Sequence, residues 1–118
     1  MRVLLAEGDG PTRLYLTDVL SELGDVVAVS NGLEALASVE ACWAQQLPYD
    51  LIVLDLNLPR RDGIDVARAL RNDARYPELP PLWGVSFDRR GRGPFDRVML
   101  RSEVADRLRK ELRRGLAA

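Results

Sequence analysis

The sequence predicts a single α/β domain built on a parallel sheet, and three observations predict it. Short apolar runs alternate with segments whose apolar residues recur at helical spacing, the order expected of a strand–helix–strand chain. The 118 residues suffice for one hydrophobic core and are too few for two ordinary ones. Hydrophobic residues make up 47% and charged residues 30%, the balance of a globular chain rather than a disordered or membrane-embedded one. No internal repeat, low-complexity tract or linker interrupts residues 1–118, so they are read as one domain.

The strands are expected at Arg2 to Ala6, Asp25 to Val29, Leu51 to Asp55, Leu82 to Phe87 and Arg97 to Leu100. Between the first two, Leu16, Val19, Leu20 and Leu23 share one face of a helix opened by Gly10-Pro11, where a proline loses nothing by lacking an N–H. Asn31 with Glu34 three residues on resembles a capping box, and the helix it opens is expected to bury Leu36, Val39 and Trp43. A third helix begins at Asp62-Gly63 and carries Val66, Ala67 and Leu70; a last one starts near Ser102 and repeats at Val104, Leu108 and Leu112. Between the fourth and fifth strands stands only Asp88-Arg89-Arg90-Gly91-Arg92-Gly93-Pro94-Phe95. Two glycines and a proline argue against a helix there, although a parallel crossover normally takes a dozen or more residues. The expectation is therefore a bare loop or an unconventionally paired last strand.

Composition excludes several functions. A net charge of −1 gives no overall attraction to nucleic acid or anionic lipid. The lone Cys42 rules out an internal disulfide, and the absence of histidine removes imidazole catalysis and makes a zinc site improbable. The apolar opening Val3 to Ala6 is too short for a signal peptide or a membrane span, which favours a cytoplasmic protein. Arg89, Arg90, Arg92 and Arg97 could meet an acidic partner, a phosphate or RNA, but with only Phe95 among them a solvated loop is favoured. Cys42, Trp43 and Trp83 read as packing or shoulder residues, and Gly84 inside a strand marks a close approach by a neighbour.

Ligands of an open parallel sheet bind beyond the carboxyl ends of its strands. The residues leaving those ends here are Glu7-Gly8-Asp9, Asp55, Ser86 and Arg101. Acids beside a hydroxyl and a guanidinium make a pocket for a divalent cation and a phosphoryl group. The plain alternative for Asp55, a capping or surface acid, fits poorly at the end of the apolar run Leu51 to Leu54.

From "RVLLAEGDG" through "NGLEAL" and "DLIVLDLNLPRRDGIDVARALR" to the closing helix, the chain resembles the receiver domains of two-component response regulators. The most specific block is an apolar strand ending in Asp55, with Asn57, Pro59 and Asp62-Gly63 at fixed steps after it. The resemblance implies a flavodoxin-like, three-layer fold with strand order 2-1-3-4-5. It implies Asp55 as phosphoacceptor, the Asn57 backbone carbonyl as a Mg²⁺ ligand beside Glu7, Asp9 and Asp55, and Ser86 as the switch hydroxyl. A histidine kinase, a phosphotransfer protein or another signalling protein would be the partner, with no nucleic acid or membrane contact by this domain and an open oligomeric state.

The chain also departs from that pattern. The second acid of the family's pair is Gly8, the usual lysine is Arg101, the usual proline after it is Ser102, and an aromatic on the fifth strand is Val98. The short run from Ser86 to Arg101 removes the fourth helix. Loss of one charged ligand, worth ~1.5–3 kcal/mol, would lower metal affinity by one to two orders of magnitude. The expected activity is therefore weakly phosphate-dependent or phosphate-independent signalling through protein contacts. The alternatives are a competent Mg²⁺-dependent phosphoacceptor and, more remotely, an aspartyl-phosphate hydrolase of the haloacid dehalogenase type, which wants a second aspartate where Asn57 stands.

Overall fold

The computed structural model describes residues 1–88 and 93–114, with side chains as far as Lys110. Arg89, Arg90, Arg92 and the side chain of Leu112 lie outside that description. Five strands, β1 (Arg2–Ala6), β2 (Asp25–Val29), β3 (Leu51–Asp55), β4 (Leu82–Ser86) and β5 (Arg97–Leu100), form one parallel sheet in the order β2-β1-β3-β4-β5. The helices among the described residues are α1 (Gly10–Leu20), α2 (Gly32–Ala44), α3 (Gly63–Arg71) and α4 (Val104–Arg114), the last entered through a 3₁₀ turn over Arg101–Glu103.

Strand alternation sorts the apolar residues into two layers. Leu4, Ala6, Ile52 and Leu54 face α2 and α3, where they meet Ala35, Val39, Val66, Ala67 and Leu70. Val3, Leu5, Leu51, Val53 and Trp83 face the other way onto Leu16, Leu20, Val104 and Leu108 of α1 and α4. Strands β3 and β4 are buried along their whole length, while β2 is largely exposed at the sheet edge. The β1–β3 register pairs Ala6 with Leu54, so one further step brings Glu7 beside Asp55.

Local chemistry explains the helix starts. Asp9, Asn31 and Asp62 each sit in extended backbone before a helix and accept from an N–H of its first turn. At α2 the Asn31 side chain accepts from the Glu34 N–H at 2.9 Å, while the Glu34 carboxylate reaches back to the Ser30 hydroxyl and the Asn31 amide. Two expectations need correction. Trp43 is 40% exposed rather than buried: together with Val39, Tyr49, Ile52 and Tyr76 it lines an open cleft of about 500 Å³. Trp43 instead packs edge-on against Tyr76, with centroids 5.2 Å apart. The fourth strand stops at Ser86, since the backbone N–H of Asp88 turns back to the Ser86 hydroxyl and leaves Phe87 outside the sheet. Gly84 is where the sequence places a close approach: a Cβ there would lie 2.8 Å from Leu56 Cδ1 and 3.1 Å from the Phe95 ring.

Candidate functional site

Three charged side chains meet at the carboxyl edge of the sheet. Glu7 is fully buried at the end of β1, Asp55 is 2% exposed at the tip of β3, and the Arg101 side chain, 13% exposed, enters from the turn after β5. Arg101 Nη2 donates to Asp55 Oδ2 at 2.7 Å and to Glu7 Oε2 at 3.2 Å. Its Nε lies 3.0 Å from Glu7 Oε1 without an aligned hydrogen bond, so that contact is Coulombic. The guanidinium also stacks on Phe87, with Cζ 3.8 Å from the ring centroid. The second oxygen of Asp55 accepts from the Asn57 N–H at 3.0 Å.

Burial pushes the Glu7 carboxyl up to about 7, helped by its hydrogen bond and repulsion with Asp55 and opposed by the Asp9 N–H and by Arg101. Asp9 behaves oppositely. Its carboxylate accepts from the Thr12 hydroxyl and the Thr12 N–H, which hold it below the ordinary aspartate range at an exposed position. Asp9 is thus the cap of α1 at the rim: its carboxylate is held by Thr12, while its backbone N–H reaches the buried cluster and donates to Glu7 Oε2 at 3.0 Å. Ser86 is buried at the tip of β4, and its hydroxyl donates to Asp88 Oδ1 at 2.9 Å.

The sequence thus named the three residues that touch, while Asp9 and Ser86 are engaged with their own loops. It missed Phe87, for which the available signal was an aromatic directly after the strand-tip hydroxyl. It also missed the packing at Gly8, where a Cβ would sit 2.9 Å from Pro59 Cδ.

The model for the response regulator receiver domain matches residues 3–113. The chain belongs to that family. Over 77 residues it is 39% identical to the DNA-binding response regulator MtrA of Mycolicibacterium paratuberculosis, an alignment covering 64% of this chain and 32% of MtrA. It therefore spans about a third of that relative's length. It is 28% identical over 82 residues to the chemotaxis protein CheY1 of Helicobacter pylori, covering 68% of this chain and 63% of CheY1. Among solved structures it is similar to the receiver domain of the histidine kinase CKI1 from Arabidopsis thaliana complexed with Mg²⁺ and BeF₃⁻, at a TM-score of 0.81 and 25% identity over 92% of this chain and 87% of that one. The five-stranded order and the flavodoxin-like receiver fold agree with these neighbours.

Receiver domains bind Mg²⁺ at the phosphorylation site, and the residues here fit that ion poorly. A hard dication takes oxygen ligands, most of them carboxylate, carbonyl or water. Gly8 offers no side chain, the Asp9 carboxylate is spent on Thr12, and both Glu7 and Asp55 are paired with Arg101. Among the described residues no group of three or more acids is gathered so as to hold a metal. No described helix is long and apolar enough to cross a membrane.

Proposed function

We propose that the chain acts as one receiver domain, with Asp55 at the phosphoacceptor position, whose signalling is weakly phosphate-dependent or runs through protein contacts without phosphate. The observation that carries this reading is the ion-paired state of Asp55: both its oxygens already accept hydrogen bonds, one from Arg101 and one from Asn57. A carboxylate held this way is a weaker nucleophile, because the charge-assisted bond stabilises its resting state. In this reading Arg101 stands in for the family lysine, Ser86 is the switch hydroxyl, and Glu7, Asp9, Asp55 and the Asn57 carbonyl hold Mg²⁺ weakly at most. A histidine kinase, a phosphotransfer protein or another signalling protein is the partner. DNA binding belongs to the relative MtrA, most of which lies outside the aligned segment.

A competent phosphoacceptor is the second reading, favoured by the position of Asp55 at the strand tip and by the likeness to a receiver complexed with Mg²⁺ and BeF₃⁻. The hydrolase reading has Asn57 where it needs a second acid. Intact mass after incubation with acetyl phosphate, with Mg²⁺ and with chelator, separates the first two. Slow or absent modification is expected. Rapid stoichiometric addition of one phosphoryl group that disappears in Asp55→Asn would establish the competent reading.

A further inference from the structure

The Arg101 guanidinium occupies a built setting. Glu7 lines up both its oxygens along one edge of it, at 3.0 and 3.2 Å, Asp55 closes on Nη2 at 2.7 Å, and the face lies on Phe87 at 3.8 Å. A residue that merely neutralised Asp55 would need only one of these contacts. Three side chains from three strand ends converge on a single planar cation, the geometry that suits arginine and that a lysine could not reproduce.

The same contacts remove what a divalent ion would use. The two buried carboxylates are bridged by the positive charge, and Asp55 Oδ1 accepts from the Asn57 N–H. Where a third acid would project, Gly8 faces Pro59 Cδ so closely that a Cβ would be 2.9 Å from it. A metal entering here would meet a fixed guanidinium within contact distance of the oxygens it must bind, and like charges at such range repel strongly where water is scarce.

We propose that Arg101 is a resident cation that takes the place of the divalent metal, so that the pocket is held together without metal and excludes it. The inference deepens the receiver reading by naming what fills the metal's role, and it rests on that reading only for the position where a metal would be expected.

Calorimetric titration with Mg²⁺, repeated with Mn²⁺, tests it on the wild type, Arg101→Met and Arg101→Lys at mildly alkaline pH. The wild type is expected to show no saturable binding into the tens of millimolar. Arg101→Met keeps the length of the stem but removes the charge, and it should gain saturable binding at least tenfold tighter than any seen in the wild type. Arg101→Lys, whose point charge cannot bridge both acids, should fall between them. A merely structural arginine would give no gain of affinity on removal. Sub-millimolar Mg²⁺ binding by the wild type overturns the proposal whatever the variants do, so it stays falsifiable if Arg101→Met fails to fold. A folded Arg101→Met with no gain overturns it as well. Failure of the functional reading is recognisable separately: rapid, stoichiometric phosphorylation of Asp55 at equal rates with Mg²⁺ and with chelator would refute weak phosphate dependence and leave the resident cation in place.

Discussion

Glu7 is the residue on which the electrostatics of the site turn. Burial holds its folded-state pKa at about 7 against an ordinary value of 4.5, so between those limits the folded protein binds a proton that the unfolded chain has released. The stabilisation is complete below about pH 4.5 and is lost as pH rises through about 7, by at most roughly 3 kcal/mol. Glu7→Gln should flatten that part of the stability profile, measured as urea midpoints from pH 4.5 to 8, and leave the mutant no less stable than wild type at the alkaline end. A wild-type profile that instead climbs across this window would refute the assignment. The acids themselves were legible because strand ends in a parallel sheet point to one edge. The direction of Asp9 was not, because a side chain in a loop follows whichever local donor it finds, and Thr12 supplies two. The Gly8–Pro59 contact was equally hidden, since it joins two loops with no shared periodicity.

At the scale of elements, the position of Asp55 depends on how closely α3 approaches the end of β3. The Gly63 N–H donates to the Leu56 carbonyl at 3.2 Å, and a Cβ on Gly63 would lie 2.1 Å from the Asp55 carbonyl oxygen. Backbone cannot yield there as a flexible side chain would. Gly63→Ala should therefore destabilise by roughly 1–3 kcal/mol despite the better helix propensity of alanine. Gly10→Ala, whose nearest neighbour would be Arg13 Nη2 at 3.9 Å, should stay within about 0.5 kcal/mol of wild type. Equal denaturation midpoints for the two variants would sink this account. The strands and helix starts were readable because caps and alternation are local signals. Trp43 was misjudged because helical spacing simply continues the face of Val39, whereas in the last turn of α2 Trp43 lines an open cleft beside Tyr76.

At the scale of the whole molecule, the question is whether a change at Asp55 can reach a distant surface. A relay needs an element with two arrangements that the site can bias. The Ser86 hydroxyl is bonded within its own turn to Asp88, and Val98, where the family carries an aromatic, is a small branched side chain packed against the α2–α3 side of the core. Phe95 is buried in that same layer, and Asp96 is tied to the Leu82 N–H at 2.7 Å and to Arg71 at 3.1 Å. These contacts anchor the entrance to β5 independently of the pocket. Asp55→Asn should then perturb backbone amide chemical shifts at Glu7, Gly8, Asn57, Phe87 and Arg101, the residues that touch the cluster or adjoin it. Phe95, Asp96 and Val98 should remain at their wild-type positions in the same ¹H–¹⁵N spectrum. Shifts spreading along β5 and into the loop before it would show that the sheet edge does carry the state of Asp55 outward, and would favour the phosphate-driven reading of this receiver over the contact-driven one.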